Sequence, residues 1–361
     1  MRQAAVLGKP DTKRTHYLGR AAREAGLHVL FLDWDRWRTD FPEGEIFLKI
    51  DPPVWDSGLL GQLGGLTEDY RRQLREIGKL ADVRDMEFLN KPEAIEALLD
   101  KQGCKRRLEA AGVSVSEEIK PEEAGLIGEA EQLLEIMRAR RVYQVFIKPV
   151  CGSGAAGVAA FRWQPGSGRM VLYTCAREMT KEEISERKAE ESGGSLVNTK
   201  RLQRITDSGQ VLSMVGKLLS LGCIVERWYA KAEYRGFSYD LRAVVQDERM
   251  DFCLARLSKG PITNLHLNNH PLEWKALGFS ERKAEEIEKL CRRAMACFPG
   301  LRSAGIDILL EKGGMRPRIM EMNAQGDLIY QDIYGQNVIY RRQVEMMREA
   351  CIGQSGTEER M

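Results

Sequence analysis

Three oxygen-bearing side chains near the C-terminal end, Asp307, Glu321 and Asn323, have the types and spacing of a site for a hard metal ion. They lie in two apolar segments, residues 305–309 and 319–323, which predict buried strands separated by a Gly-Gly turn. Alternation along a strand places Glu321 and Asn323 on one face, and a hairpin partner can place Asp307 opposite them. Such groups inside hydrophobic strands are costly without a cation, and Mg²⁺ combines carboxylate oxygens with water and phosphate. Solvated side chains at strand ends are the alternative.

A second candidate site lies around two lysines. Residues 142–147 predict a strand, and Lys148 at its end precedes a glycine-rich stretch at 152–157. Backbone N–H groups of such a loop can approach phosphate oxygens, and the lysine adds a fixed positive charge. The stretch is not a Walker loop, because no Gly-Lys-Ser/Thr sequence closes it, and a purely structural hairpin is the alternative. Lys101 ends a helix predicted from Asn90, and on its own it is typical of a surface lysine.

Further polar side chains accompany apolar segments downstream. Residues 223–229 predict a buried strand that carries an acid, and residues 239–245 predict another that carries an acid and an arginine. Each is unremarkable alone. The acids are Glu226 and Asp240, and the arginine is Arg242. Arg256 and Asn264 follow them along the chain.

The order of these motifs resembles that of the ATP-grasp superfamily. In chain order they are Asp-Lys, strand-Lys-Pro with a glycine-rich loop, Val-Glu-Arg-Trp, Asp-Leu-Arg, Asn-Leu-His, Gly-Ile-Asp and Glu-x-Asn. The resemblance covers roughly residues 88–345, after the α/β domain that such proteins usually carry. It is nearest to the branch that contains glutathione synthetase and the ribosomal-protein glutamate ligases, where the string from Ala255 to His266 has a near counterpart.

The resemblance implies a site for ATP with magnesium, or manganese as the alternative cation. Asp307, Glu321 and Asn323 match the metal ligands, while Arg242 and Arg256, helped by Asn264, match groups that hold the transferred phosphate and the acyl phosphate. For the nucleotide, the resemblance implies that Lys101 and Lys148 contact the phosphates and that Gly152, Ser153, Gly154 and Gly157 belong to the flap over them. Glu226 and the backbone at Trp228 and Tyr229 would meet the adenine edge, and Asp240 would bind the ribose.

The activity implied by this resemblance is that of an ATP-dependent carboxylate–amine ligase. A carboxylate would attack the γ-phosphate of ATP, and an amine would capture the acyl phosphate to give an amide or peptide-like bond, ADP and phosphate. The substrates are then a carboxylate-bearing molecule and an amine from an amino acid, a peptide or a protein, and a homodimer is left open. A kinase on the same scaffold and a nucleotide-binding partner protein without turnover are the alternatives. The complete set of two lysines and three metal ligands argues against the last.

Composition excludes several other classes of protein. The 361 residues include 55 Lys plus Arg and 53 Asp plus Glu, a net charge of +2, so no broad basic surface argues for nucleic acid. No apolar run reaches the length of a membrane span, and the N-terminal run is too short for a secretory signal. The eight cysteines are scattered without a Cys-x-x-Cys pair, which favours reduced thiols and a cytoplasmic location.

The N-terminal third predicts an open parallel sheet. Residues 4–8 and 28–33 read as strands around a helix at 13–25, a β-α-β unit. The predicted fold class is therefore α/β, α+β in the nucleotide domains: an N-terminal parallel-sheet domain followed by an ATP-grasp fold of two subdomains. The predicted domains are an N-terminal α/β domain at 1–88, a small ATP-grasp subdomain with the glycine-rich lid at 89–230, and a C-terminal subdomain with the metal site at 231–361.

Several segments depart from the motif pattern or lack a clear one. Residues 324–328, Ala-Gln-Gly-Asp-Leu, replace the usual Ser/Thr-Pro-Gly, which leaves substrate choice open. The charged segment 162–222 is either an insertion or a shaper of a larger acceptor site. We also expect a helix over 117–141, an exposed insertion or loop at 181–192, and a glycine-rich loop at 58–65 that could line the acceptor pocket.

Overall fold

The computed structural model of the protein describes residues 2–55, 58–122, 125–152, 156–187, 196–267, 269–325 and 335–352, without the side chains of Lys200 and His266. Within these residues the strands form a four-stranded, a five-stranded and a six-stranded sheet. The mixed α/β architecture agrees with the predicted fold class.

The N-terminal sheet is parallel throughout, as the β-α-β pattern predicts. Its elements are β1 (Gln3–Gly8), α1 (Lys13–Glu24), β2 (Val29–Asp33), α2 (Trp37–Asp40), β3 (Ile46–Ile50), α3 (Leu63–Ala81) and β4 (Met86–Phe88). The strand order is β2-β1-β3-β4. The expected glycine-rich loop at 58–65 is partly wrong, because Gly64 and Gly65 lie inside α3. Burial of Leu63 and of residues one and two turns later extends this helix despite the low helix propensity of glycine.

Two short helices follow, α4 (Pro92–Leu99) and α5 (Lys101–Ala110). The prediction that Lys101 ends a helix is therefore wrong, because Lys101 is the first residue of α5. The cause is local. Asp100 caps α5 by accepting hydrogen bonds from the backbone N–H groups of Gln102 and Gly103. Asn90 does not cap α4; its side chain instead donates to the backbone carbonyl of Ser303.

The five-stranded sheet is antiparallel. It follows α6 (Ala130–Ala139) and comprises, with its helices, β5 (Gln144–Pro149), β6 (Ala159–Gln164), β7 (Arg169–Glu178), α7 (Lys181–Arg187), β8 (Leu196–Ile205), α8 (Ser208–Leu219) and β9 (Cys223–Arg227). The strand order is β8-β7-β6-β5-β9. The glycine-rich stretch thus joins two antiparallel strands, β5 and β6, as expected for a hairpin connection.

Two expectations for this region were wrong in part. Within 117–141 the helix covers only Ala130–Ala139. Residues 117–119 instead run along β9, where the Ile119 N–H donates to the Val225 carbonyl. Within 181–192, Lys181–Arg187 is helical rather than a loop, and the remainder lies outside the described residues.

The six-stranded sheet carries the predicted metal-ligand hairpin. Its elements are β10 (Glu233–Tyr234), β11 (Phe237–Gln246), β12 (Arg249–Ser258), β13 (His270–Glu273), α9 (Glu281–Ala296), β14 (Ser303–Leu310) and β15 (Pro317–Asn323). The order is β13-β12-β11-β14-β15, with β10 paired to β11. In the antiparallel β14–β15 pair Asp307 lies opposite Glu321, which confirms the predicted register. Short 3-10 helices cover Leu60–Gln62, Leu265–Leu267 and Trp274–Leu277.

The last helix, α10 (Val338–Ile352), returns to the N-terminal sheet. Its buried side chains, among them Tyr340, Val344 and Met347, share an apolar cluster with Val6 and Phe47. Residues from the C-terminal predicted domain therefore complete the core of the first sheet. The division into domains at 88 and 230 stays a prediction.

The described part of the chain contains no helix with the length and apolar character needed to cross a membrane.

Candidate active site

A cleft of about 830 Å³ opens between the five-stranded and six-stranded sheets. Residues from α5, β5, β9, β11, β12, β14 and β15 line it, so distant parts of the chain meet there. Ten residues predicted from the sequence line this cleft: Lys101, Lys148, Gly152, Glu226, Tyr229, Asp240, Arg256, Asn264, Asp307 and Glu321.

The other predicted site residues lie beside the cleft or outside the description. Gly157, Trp228, Arg242 and Asn323 are described but are not among the residues that line the cleft. Ser153 and Gly154 lie outside the described residues.

Glu226 holds two lysines at the inner end of the cleft. Lys148 Nζ lies 2.6 Å from one of its carboxylate oxygens, and Lys105 Nζ donates to the other. Burial alone would raise the pKa of Glu226, but the two ammonium groups outweigh burial and lower this pKa to about 2. The pKa of Lys148 is raised, because the attraction of Glu226 exceeds the opposing effect of burial. Glu226 and Lys148 are thus charged at neutral pH.

Lys101 connects α5 to the glycine-rich loop. Its ammonium group donates to the Gly152 carbonyl and lies 3.8 Å from a carboxylate oxygen of Glu321. Lys101 and Lys148 therefore face the same cleft from different elements, as required of two groups that contact one polyphosphate.

Acids and bases alternate along the floor of the cleft. Arg256 donates through Nε to Asp240 at 2.7 Å, and its Nη2 lies 3.2 Å from Asp307. Arg242 donates to both carboxylate oxygens of Asp307. Burial would raise the pKa of Asp307, but the two guanidinium groups lower it. The carboxylate of Asp307 is therefore held ionised and in a fixed orientation.

Asp240 is enclosed within the protein. Its side chain is 1% exposed, and besides Arg256 it accepts hydrogen bonds from Lys231 Nζ at 3.1 Å and from the hydroxyl of Thr263. Lys231 also donates to Thr263 Oγ1 at 2.6 Å. Burial lowers the pKa of Lys231 despite the opposing attraction of Asp240.

The donor set opposite the lysines suits a hard cation. Asp307 and Glu321 face each other on adjacent strands and both line the cleft, while Asn323 is two residues along β15 and pairs with Gly305. Mg²⁺ is often bound through one or two carboxylates, with phosphate and water completing its shell. No group of three or more His, Cys, Asp or Glu side chains in the described ranges could hold a metal alone. The pair of carboxylates thus fits a metal that arrives with phosphate.

One wall of the cleft is apolar. Phe146, Val158, Leu309 and Met320 line it near Tyr229. Phe146 and Leu309 each stand two residues from a charged cleft residue, on the same face of their strands, so strand alternation could have identified them. Such a wall suits the flat apolar faces of a nucleobase.

Sequence reasoning missed Lys105, Lys231 and Thr263. Lys105 lies one helical turn after Lys101 in α5, so this spacing could have identified it as a residue of the same site. No comparable pattern marked Lys231 or Thr263, which come from segments 32 residues apart and meet only in the fold.

The whole architecture matches solved structures of ligases. A D-cycloserine synthetase, DcsG, superimposes with a TM-score of 0.58 at 12% identity, over 95% of this chain and 99% of that one. The macrocyclase MdnC, bound with precursor peptide MdnA from Microcystis aeruginosa MRC, gives a TM-score of 0.59 at 13% identity over 96% and 100% of the two chains. The chain has the ATP-grasp fold. The ATP-grasp ligase PsnB, complexed with a phosphomimetic variant of its minimal precursor, Mg and ADP, gives 0.55 at 16% identity over 96% and 97%.

The ATP-grasp fold is shown by these structures rather than by sequence similarity. No family model matches the chain, and no match was found among curated proteins.

Proposed function

We propose that the protein is an ATP-dependent carboxylate–amine ligase. The observation that carries this proposal is the convergence of Lys101, Lys148, Arg256, Asp307 and Glu321 on one cleft of an ATP-grasp fold. Three cationic side chains face two carboxylates there, as a magnesium polyphosphate would require.

ATP would lie with its base on the apolar wall and its phosphates between the lysines. Tyr229 and the backbone of Trp228 would form the adenine edge, and the loop containing Gly152 and Gly157 would cover the phosphates. Lysines contact both carboxylate oxygens of Glu226. This supports a role for Glu226 in positioning Lys148, in addition to any contact with the adenine amino group.

A divalent cation would be held by Asp307 and Glu321, with Asn323 as a further ligand, and Arg242 would orient Asp307. When bound, the cation would neutralise charge on the phosphate oxygens. Mg²⁺ is favoured by the oxygen donors, and Mn²⁺ is the alternative.

The reaction follows from the placement of charge. A substrate carboxylate oxygen attacks the γ-phosphorus, the bond to the bridging oxygen of ADP breaks, and an acyl phosphate forms. An amine nitrogen then attacks the acyl carbon, phosphate leaves, and the nitrogen loses one proton to solvent. Arg256, with Asn264 near it, is placed to neutralise the equatorial phosphoryl oxygens. Closure of the glycine loop would keep water from the acyl phosphate.

The enclosed carboxylate of Asp240 supports a role different from ribose binding. Its contacts are with Arg256, Lys231 and Thr263, so it would position the arginine that meets the phosphoryl group. The ribose contact implied by the resemblance stays a prediction.

A peptide or protein is the substrate class that the neighbours favour. MdnC was solved with the precursor peptide MdnA and PsnB with the precursor peptide PsnA2. A RiPP-associated ATP-grasp ligase from Chryseobacterium gregarium was solved with ADP and a leader and core peptide. Kinship with the glutathione synthetase and ribosomal-protein glutamate ligase branch, a cytoplasmic location and a homodimer remain predictions.

The test is ADP release with hydroxylamine as a trap. Purified protein, ATP and Mg²⁺ would be incubated with pooled amino acids, small carboxylates and acidic peptides, and acyl phosphate would be detected as hydroxamate. Hydroxamate should be lost in Lys148→Ala and Glu321→Ala and kept in Lys312→Ala and Glu233→Ala, an exposed ion pair on the same sheet. ADP without hydroxamate would favour the kinase. ATP binding without ADP release from any pool would favour the non-catalytic alternative.

A further inference from the structure

A second groove, of about 1090 Å³, lies on the five-stranded sheet at the end away from Lys148. It is formed by the segment that enters β5, the turn after β6 and the residues that follow β9. None of the described residues that line it is acidic. The residues that define this basic groove are Arg141, Tyr143, Arg162, Trp163, Arg227 and Trp228.

The positive charge of the basic groove has little compensation among the residues that the structure describes. Arg141, Arg162 and Arg227 are all exposed. Arg227 pairs with Glu117 at 2.8 Å, and Arg162 donates to the side-chain oxygen of Gln144, a neutral group. Arg138 adds a fourth guanidinium next to the groove, above the ring of Trp163. The local charge therefore contrasts with a net charge of only +2 for the whole chain.

The two tryptophan rings of the groove are already covered, and Tyr143 is its exposed ring, at 38%. The guanidinium of Arg162 lies 4.9 Å from the centroid of the Trp228 ring, and Phe146 packs at 5.4 Å from the same ring. Trp163 is 5% exposed and carries Arg138 at 5.3 Å. Binding of single-stranded nucleic acid relies on accessible ring faces on which bases stack. The groove thus offers several cations and one exposed ring, that of Tyr143, which packs edge-on against Trp163 at 6.2 Å, rather than a row of ring faces for successive bases.

The basic groove is joined to the nucleotide cleft. Arg227 lines both, and Phe146, which packs on Trp228, lines the cleft. Gln144 donates to the Trp228 carbonyl at 3.0 Å and accepts from Arg162. A molecule bound in the groove would therefore lie beside the cleft that holds the reacting groups.

We propose that the basic groove is a docking site for an acidic peptide segment, separate from the residues that react. Carboxylate side chains on an extended segment can pair bidentately with guanidinium groups. Charge complementarity selects this occupant, since three arginines line the groove and its described lining residues include no acid.

The test measures binding without ATP, so it does not depend on ligase activity. The probe is fluorescein-labelled hexaglutamate with a capped C-terminus, followed by anisotropy at low and at physiological salt, with hexaglutamine and oligo-dT as comparison probes. The test variant is Arg141→Glu/Arg162→Glu. The matched control is Arg20→Glu/Arg23→Glu, which changes the net charge equally at exposed arginines of α1. Arg141→Glu alone is a second variant, because Arg162 also packs on Trp228.

Hexaglutamate should bind in a salt-dependent manner and lose roughly tenfold or more in affinity in the test variant, with less than about a threefold change in the control. Arg141→Glu alone should show a smaller loss with an unchanged melting temperature. Equal losses in test and control variants would overturn the proposal in favour of non-specific attraction. Binding that survives both groove variants would place the peptide in the nucleotide cleft, and tighter binding of oligo-dT would identify a nucleic-acid site instead.

Discussion

Lys148 Nζ and a carboxylate oxygen of Glu226 lie 2.6 Å apart across the β5–β9 pair, with side-chain exposures of 12% and 2%. Lys105 bonds the other oxygen of the same carboxylate. Buried ion groups of this kind are costly to break, because removal of one partner leaves the others charged and without compensation.

Glu226→Gln should therefore destabilise the protein by about 3–5 kcal/mol, since two buried lysines would share a neutral amide. Urea unfolding would measure the change in the free energy of unfolding. Glu117→Gln, which removes an exposed partner of Arg227, is the control and should cost less than about 1 kcal/mol. Equal effects of the two substitutions would show that the buried charges are not coupled as described.

The same carboxylate should make stability depend on acidity. The pKa of Glu226 is lowered from an ordinary 4.5 to about 2, so its contribution is present above pH 4.5 and is lost as the pH falls towards 2. Linkage sets the size of this contribution at about 3 kcal/mol. Unfolding free energies measured across this interval should show a weaker pH dependence in Glu226→Gln than in the unchanged protein. The proposal fails if both slopes are the same.

Lys231 should set the alkaline limit of activity. Burial lowers the pKa of this lysine, and its charge, beside Asp240 and the phosphoryl site, would be lost as the pH rises through that pKa. Arginine keeps its charge, so the alkaline limb of the kcat/KM profile should move to higher pH in Lys231→Arg. Lys312→Arg, at an exposed site, should leave the profile in place. An unchanged limb in Lys231→Arg would assign the limb to another group.

Arg242→Gln should raise the magnesium concentration needed for half-maximal activity by roughly tenfold, because the carboxylate of Asp307 would lose one of the two guanidinium groups that orient it. Magnesium titration of ADP release would measure this. Arg302→Gln is the matched control: it removes an Arg–Asp pair with Asp247, at 2.8 Å, outside the cleft. A shift of similar size in the control would indicate a general loss of stability rather than a metal effect.

Gly157→Ala should impair the phosphate loop. Gly157 has φ of +67°, and an added Cβ would lie 2.8 Å from Pro149 Cγ, so the loop between β5 and β6 would have to move. We expect a loss of about 1–3 kcal/mol in stability and a higher KM for ATP. Gly216→Ala in α8, where no atom lies within 4 Å of the added Cβ, should instead be neutral or stabilising by up to about 1 kcal/mol. An unchanged KM in Gly157→Ala would argue against a role of the loop in ATP binding.

The sequence predicted best those features that depend on strand alternation. The β14–β15 hairpin follows from two apolar segments around a Gly-Gly turn, and alternation keeps Glu321 and Asn323 opposite Asp307 and Gly305, up to the register shift between Asp307 and Ile308. The parallel N-terminal sheet follows likewise from two apolar strands around one helix.

Features that depend on distant contacts were missed or misjudged. Lys105 and Glu226 are separated by 121 positions, so no local pattern could show that they meet. Residues 117–119 have a composition compatible with a helix, but pairing with β9 makes them extended. Gly64 and Gly65 are helical because α3 buries its apolar face, which outweighs the propensity of two residues.

The return of α10 to the N-terminal sheet has a consequence for the order of biosynthesis. One face of β1 and β3, including Val6 and Phe47, is covered by side chains that lie between Ile339 and Cys351. A nascent chain that has exposed only the first hundred residues therefore cannot complete this core. The part of that face not covered by α1 must stay unburied, or be shielded by a chaperone, until the residues of α10 have left the ribosome.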